Sequence, residues 1–364
     1  MSRTVALAAG GTGGHMFPAQ ALAEEMRRRG WSVLLLTDAR GLRYADGFPA
    51  DEVVELAAAN PNVSGLAAKA RMIGTMLRGA RQARSAIKRH RPALAVGFGG
   101  YPSAPGMAMA ELARIPYAIH EQNAVLGRMN RYLAKDAGIV AHGFERLDRF
   151  KGTKGQRVQT GNPVRDAVAA AARPYDDPAA GPLRVLIFGG SQGASLFSRV
   201  FPAALARLPE GIRERLVVTQ QVRDEEASEV AAAYGRARVT AHTAPFFADL
   251  PTRMAASHLV VSRAGASTVT ELAVLGRPSI LVPLGIAMDD HQRANAEVLS
   301  SAGAARVILE RDLTETVAAD ALERLLSDPE RLTGMARAAE GTVPDGAAAR
   351  LADLCEGLLG ARAA

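Results

Sequence analysis

The sequence predicts an α/β protein made of two doubly wound, Rossmann-like domains facing across a cleft. Three observations carry this. Short apolar, β-rich runs alternate with helical runs, the pattern of parallel sheets covered by helices. An apolar strand running into a glycine turn occurs twice: Val5–Ala9 before Gly10-Gly11-Thr12-Gly13-Gly14, and Leu183–Phe188 before Gly189-Gly190-Ser191-Gln192-Gly193. Between the two repeats, the polar, proline-rich run from Arg173 to Pro182 reads as a linker. The expected division is 1–163 for the first domain, 164–340 for the second, and 341–364 for a C-terminal helix returning to the first. A length of 364 residues fits about two domains.

In the first half, strands are expected at Thr4–Ala9, Ser32–Thr37, Glu52–Leu56, Ala93–Val96, Tyr117–His120 and Gly138–Ala141. Helices are expected at Phe17–Arg29, Leu66–Arg89, Ala104–Arg114 and Leu126–Ala134. Gly161-Asn162-Pro163 is turn chemistry. The second half gives strands at Leu183–Phe188, Arg215–Thr219, Arg236–Thr240, His258–Ser262, Ser279–Pro283 and Ala305–Leu309.

Composition narrows the function. Hydrophobic residues are 48% and charged residues 22%, so the bulk of the chain is neither disordered nor fibrous. The one cysteine, Cys355, excludes an internal disulfide framework and a cysteine-based zinc site. No targeting or membrane-spanning run is visible, and a cytoplasmic protein is expected. The net charge is +7, yet no acidic residue lies between Glu55 and Glu111. That stretch holds Lys69, Arg71, Arg78, Arg81, Arg84, Lys88, Arg89 and Arg91, which leaves the rest of the chain close to neutral.

The same stretch has apolar positions at helical spacing: Leu66, Ala70, Ile73, Leu77, Ala80 and Ile87, widened by Met72 and Met76. A basic amphipathic helix of this kind suits an anionic bilayer surface. A core-packed helix with a solvated basic side fits the same pattern. Nucleic acid is not expected as a partner, because aromatic interleaving for base stacking is almost absent.

The glycine turns suit close backbone approach to a ligand at a helix N-terminus. They also describe plain tight turns. His15, closing the first turn, is a candidate general base. Gly97 to Gly106 is a second glycine loop after a strand, and His120-Glu121-Gln122-Asn123 ends another, with side chains expected toward the cleft. Ser262 to Glu271 combines strand, small-residue turn and helix, and Glu271 is placed to accept from a ribose diol. Asp289-Asp290-His291-Gln292 offers partners for sugar hydroxyls or helix caps. Met16 breaks the dinucleotide fingerprint, and no P-loop motif occurs. No metal-ligand spacing is present, so a metal-free mechanism is expected, with Arg165 a candidate to neutralise a leaving diphosphate.

Taken in order, Gly10 to His15, Gly99-Gly100-Tyr101, His120 to Asn123, Gly161 to Arg165, Gly189 to Gly193 and Arg263 to Glu271 resemble the MurG family of bacterial peptidoglycan glycosyltransferases. The resemblance covers essentially the whole chain. It implies a two-domain glycosyltransferase-B architecture and inverting transfer of N-acetylglucosamine from its UDP donor to lipid I, giving lipid II. It places the enzyme peripherally on the cytoplasmic face of the inner membrane, with cell-wall synthesis proteins as further partners and no cofactor. It assigns the donor to Arg165, Ser191, Gln192, Phe247, Ala266, Ser267, Thr268, Val269, Thr270 and Glu271. Asn123 and Gln292 would meet the sugar, and Thr12, Gly13 and Gly14 would line the acceptor and transferred-sugar side. The membrane patch would comprise Lys69, Arg71, Met72, Ile73, Met76, Leu77, Arg78 and Arg81. Two departures stand out: His291-Gln292 replaces a frequent glutamine pair, and the patch lacks large aromatics. The rival functions are another sugar-nucleotide enzyme of the same fold, such as an epimerase or lipid glycosyltransferase, and a non-catalytic cell-wall scaffold.

Overall fold

The computed structural model describes residues 3–60, 64–190, 195–285 and 290–360. The chain forms two compact units, Met1–Asp166 with Pro344–Ala364, and Ala167–Val343. The first boundary falls three residues beyond the expected 163/164, because Arg165 and Asp166 are tied to the first helix. The Arg165 guanidinium lies 3.8 Å from the Phe17 ring centroid, and the Asp166 backbone N–H donates to Glu24.

In the first unit the order is β1 (Thr4–Ala8), α1 (Gly13–Arg28), β2 (Ser32–Thr37), β3 (Glu52–Glu55), α2 (Leu66–His90), β4 (Leu94–Gly97), α3 (Ala104–Leu112), β5 (Tyr117–Glu121), α4 (Arg128–Leu133), β6 (Ile139–His142) and β7 (Gln156–Gln159). Among the described residues these strands make one parallel sheet, ordered β3-β2-β1-β4-β5-β6-β7. Along β1, Val5 and Leu7 enter one apolar cluster and Ala6 and Ala8 the other, so both faces are covered. β7 was not foreseen: apart from Val158 its residues are polar and exposed, as an edge strand tolerates.

The second unit runs α5 (Asp166–Ala171), β8 (Leu183–Phe188), α6 (Ser195–Ala206), α7 (Glu210–Arg213), β9 (Leu216–Gln221), α8 (Ala227–Arg236), β10 (Thr240–Ala244), α9 (Leu250–Ala255), β11 (Leu259–Ser262), α10 (Ala266–Leu275), β12 (Ser279–Leu281), α11 (His291–Ser301), β13 (Ala305–Val307), α12 (Glu315–Leu326) and α13 (Pro329–Ala339). Its parallel sheet is ordered β10-β9-β8-β11-β12-β13 among the described residues. The strand expected at Arg236–Thr240 is corrected: α8 runs through Arg236, Arg238 turns the chain at φ +55°, and β10 begins at Thr240.

The run from Arg173 to Pro182 is also more than a linker. Tyr175 packs against the core of the second unit and donates to the His258 carbonyl at 2.9 Å. Asp176 pairs with Arg173 and Arg184, and the buried Arg277 donates to the Arg173 carbonyl at 2.7 Å. Polar composition read as spacer because the docking partners His258 and Arg277 lie 83 and 104 residues further along the chain from Tyr175 and Arg173.

The last helix, α14 (Ala347–Gly360), belongs to the first unit. Leu351, Ala352 and Cys355 are buried in the cluster that holds Val5 and Leu7. Arg29, the C-cap residue of α1, bridges Asp353 and Glu356, and the Trp31 indole donates to Glu356 at 2.8 Å. Burial pushes the Cys355 thiol up to about 12, which makes it a packing group rather than a nucleophile.

Truncating α14's contact tests this arrangement. Leu351→Ala is expected to lower the unfolding free energy of the first unit by about 2–5 kcal/mol. Urea titration followed by Trp31, the single tryptophan, measures it, and a loss below about 1 kcal/mol contradicts a core role for α14.

Candidate active site

In doubly wound sheets, ligands bind beyond the carboxyl ends of the strands, where the strand order reverses. In the first unit that point lies between β1 and β4. The turn after β1 is shaped by Asp38 at the end of β2. Its Oδ1 accepts from the Gly11 N–H at 2.8 Å and the Gly41 N–H at 3.0 Å. Gly10 has no room for a side chain: a Cβ there would stand 2.6 Å from the Asp38 carboxylate and 2.8 Å from Pro102. The Gly11 amide is therefore committed to Asp38, not offered to an anion. Asp38 also holds Arg40 at 3.3 Å, and Arg40 stacks over Tyr101 of the loop after β4.

Thr12 is the N-cap residue of α1, and its carbonyl accepts from the His15 and Met16 amides, each at 3.1 Å. The helix begins at Gly13, earlier than expected, so Gly13, Gly14 and His15 form its first turn. Gly13 packs against the Phe17 ring, on which Arg165 stacks. His15 is half-buried, and its Nδ1 lies 3.1 Å from Gln122 Oε1.

The four polar residues at the end of β5 do not share one open edge. His120, Glu121 and Gln122 are buried, and only Asn123 is partly exposed. The Glu121 carboxylate accepts from Asn123 N and Nδ2, Gly127 N and Asn130 Nδ2, at 2.8–3.1 Å. Gln122 Nε2 meets the His120 carbonyl at 3.0 Å and His120 Nδ1 at 3.2 Å. His120 Nε2 meets the Gly161 carbonyl at 3.0 Å, and Asn162 Nδ2 donates to the Gln122 carbonyl at 3.0 Å. Burial pushes His120 down to about 4, so its ring is neutral near pH 7.

In the second unit the corresponding point lies between β8 and β11. Ser191 and Gln192 lie outside the described residues, as does Asp289. Gln221, which sequence reading missed, ties the loops: its Oε1 accepts from Gly189 N at 3.2 Å and its Nε2 donates to Pro245 O at 3.0 Å. It thereby joins the β8 turn to the segment holding Phe246 and Phe247. Phe246 is exposed, and Phe247 lies under the Arg253 guanidinium. The signal was one polar residue at the end of a strand, which spacing alone does not single out.

Ala266 to Glu271 open α10, with Ser267 and Thr268 in its first turn. Val269, Thr270 and Glu271 are buried, so Glu271 is not an ordinary solvated carboxylate. Arg263 is a brace: it donates to Glu310 at 2.6 Å, and Glu310 accepts from Gly285 N. Those two donors outweigh partial burial and hold the Glu310 carboxyl below its usual range. Gln292, in the first turn of α11, accepts from Leu284 N at 2.9 Å, which commits its carboxamide oxygen to the backbone. Asp290 is the N-cap residue at φ +55° without a side-chain capping bond.

The basic helix α2 divides along its length. Gly79, Ala83, Ala86 and Ile87 are buried, whereas Leu66, Ile73 and Leu77 are 88%, 53% and 52% exposed. Lys69, Arg71, Arg78 and Arg81 are exposed beside them, and Met72 and Met76 are half-buried. Thus Ile87 serves the core, while the N-terminal half carries the exposed apolar stripe. Among the described residues, no helix is long and apolar enough to cross a membrane.

Two parallel, doubly wound units with glycine turns at their switch points define a two-domain glycosyltransferase-B fold. Residues 5–141 match the glycosyltransferase family 28 N-terminal domain and residues 184–351 its C-terminal domain. A Caulobacter vibrioides protein named UDP-N-acetylglucosamine–N-acetylmuramyl-(pentapeptide) pyrophosphoryl-undecaprenol N-acetylglucosamine transferase is 50% identical over 98% of this chain and 99% of its own. The structure of Acinetobacter baumannii MurG superposes with a TM-score of 0.77 at 30% identity, covering 98% of this chain and 99% of that one. The calicheamicin glycosyltransferase CalG4, 17% identical with a TM-score of 0.67 over all of both chains, shares the fold. The chain belongs to the MurG family of N-acetylglucosamine transferases.

The buried His120 gives a pH test. Its folded value of about 4 lies below the ordinary 6.5, so the unfolded chain takes up the proton first as pH falls. The first unit therefore keeps this stability above about pH 6.5 and loses on the order of 3 kcal/mol on descending to about pH 4. His120→Gln should show a shallower decline in urea titrations across that range, and an unchanged slope refutes the assignment.

Proposed function

We propose that this chain transfers N-acetylglucosamine from UDP-N-acetylglucosamine to the muramyl 4-hydroxyl of undecaprenyl-pyrophosphoryl-N-acetylmuramyl-pentapeptide, lipid I, forming lipid II in peptidoglycan synthesis. The observation that carries this reading is half identity, along nearly the full length, to a relative bearing that name. The reaction is read as a single in-line displacement with inversion. His15 takes the proton of the acceptor hydroxyl, the oxygen attacks the anomeric carbon, and UDP leaves from the opposite face with the bonding electron pair.

Geometry supports His15 as the base. Its ring sits at the switch point of the first sheet, oriented by Gln122. Arg165, Ser191 and Gln192 are assigned to the donor diphosphate, with Phe247 at the uracil, the α10 turn from Ala266 to Thr270 and Glu271 at the ribose side, and Gln292 and Asn123 at the sugar. Thr12, Gly13 and Gly14 line the acceptor side. Leaving-group charge is taken up by dipoles, hydroxyls and a guanidinium, without a metal ion.

The exposed stripe of α2, flanked by Lys69, Arg71, Arg78 and Arg81, supports peripheral attachment to an anionic membrane, which this reading places at the cytoplasmic face. Through lipid II, the enzyme serves cell-wall growth, shape and division, alongside other cell-wall synthesis proteins.

Transfer of radiolabelled N-acetylglucosamine to a lipid I analogue tests the activity directly. Labelled lipid product with matching UDP release, undiminished by chelator, is expected; acceptor-independent epimerisation or no product overturns the reading. His15→Ala should lower kcat by about 100-fold or more, and near-normal turnover removes it as base. Arg165→Ala and Ser191→Ala should instead weaken donor use, seen as raised KM for the donor or reduced rate. For the membrane, replacing Lys69, Arg71, Arg78 and Arg81 by Gln should reduce sedimentation with anionic vesicles while sparing the rate on a soluble acceptor. Equal vesicle binding rejects the patch.

A further inference from the structure

We infer that Gln122 and His120 are positioning residues that hold the proton of neutral His15 on Nδ1 and leave its Nε2 as a bare lone pair. This rests on the reading of His15 as the base, and it specifies which nitrogen of that ring acts. The argument needs only the donor and acceptor capacity of each group. A peptide carbonyl can only accept. The Gly161 carbonyl, 3.0 Å from His120 Nε2, therefore places the His120 proton on Nε2. Gly161 presents that oxygen from φ +82°, a conformation glycine adopts without strain. His120 is fully buried, and a neutral ring protonated at Nε2 has its lone pair on Nδ1.

Gln122 reads this pattern twice. Its Nε2 lies 3.0 Å from the His120 carbonyl and 3.2 Å from His120 Nδ1, and both of those groups are acceptors. The carboxamide NH2 must face them. The reverse orientation would press Oε1 against two acceptors in a buried site and leave every one of those groups without its hydrogen bond. Oε1 therefore faces His15, 3.1 Å from Nδ1, and an amide oxygen can only accept. His15 must supply the proton from Nδ1. Two backbone carbonyls thus set the polarity of a chain running from Gly161 through His120 and Gln122 to His15.

The other edge of the ring meets the loop after β4. A Cβ on Gly100 would stand 3.2 Å from both Cδ2 and Nε2 of His15. Gly100, at φ +73°, leaves that edge uncovered by a side chain of its own. The nitrogen with the lone pair is the one turned to the loops at the switch point, where an acceptor hydroxyl would have to approach. In free imidazole the two tautomers interconvert, and a base presented in only one of them has its lone pair aligned before the substrate arrives.

The test uses the full chain labelled with 15N-histidine and long-range 1H–15N NMR, with the His15 signals assigned from their loss in His15→Gln. At a pH where the ring is neutral, the inference expects a protonated, pyrrole-type Nδ1 and an unprotonated, pyridine-type Nε2. A proton on Nε2, or an averaged mixture of the two tautomers, overturns it. This needs no variant of the relay, so it holds even where such a variant fails to fold. Gln122→Leu removes the acceptor at similar size. It should average the His15 tautomers and lower kcat about 10–100-fold with the donor KM within about twofold; an unchanged tautomer and kcat also overturn the inference. Failure of the two readings is separable. If His15→Ala keeps its turnover, the base assignment falls, while the wild-type spectrum still decides the tautomer. If His15→Ala is inactive but Nε2 carries the proton, the base assignment survives and the relay does not.

Discussion

A buried hydrogen-bonding group must find a partner of opposite polarity, and at the end of β5 this constraint organises the first unit's site. Three consecutive polar side chains, His120, Glu121 and Gln122, turn inward there. Glu121 is a buried carboxylate met by four N–H donors from Asn123, Gly127 and Asn130, which moulds the segment leading into α4. Its neighbours on either side carry polarity from the Gly161 carbonyl to His15. A segment that reads as a row of ligand-facing side chains thus works mainly as a scaffold, and one partly exposed residue, Asn123, is left at its surface.

The same economy recurs where backbone turns need holding. Asp38 secures the turn after β1 by accepting from Gly11 and Gly41. Gln221 joins the β8 turn to the loop after β10, and Arg263 with Glu310 holds Gly285 beyond β12. Each brace stands at the carboxyl end of a strand or just beyond one. Loops that carry ligand contacts have few apolar contacts of their own, so a charged or amide side chain from a neighbouring strand supplies their rigidity. In both units the glycines permit the turn and a polar side chain selects its shape.

Surface chemistry is divided along one helix in a comparable way. The C-terminal half of α2 spends its apolar side on the core through Ala83, Ala86 and Ile87, and Arg89 pairs with Glu52. Its N-terminal half keeps Leu66, Ile73 and Leu77 outside, beside the exposed Lys69, Arg71, Arg78 and Arg81. A continuous amphipathic pattern in the sequence therefore serves two surfaces, and the changeover falls near Gly79. There a side chain would meet the Ala57 carbonyl at 2.0 Å, so the helix closes against the sheet-side chain at that point.

Local pattern was enough to show the two parallel units, nearly all their strands, the glycine turns and the basic helix. These depend on residue type at short spacing: apolar alternation, glycine after a strand, cations without nearby acids. The motifs also carried the family, because six modest segments in one order constrain each other. Spacing could not show that Arg173 to Asp176 dock on the second unit, that β7 pairs at the edge, or that Arg263 and Gln221 are braces. Nor could it show that Gln122 turns its amide NH2 toward the carbonyl and the ring nitrogen of His120. Most of those facts join residues tens of positions apart, and the Gln122 orientation depends on such a link through His120. Direction is settled only when folding brings a fixed acceptor within reach, as Gly161 is brought to His120 across 41 residues.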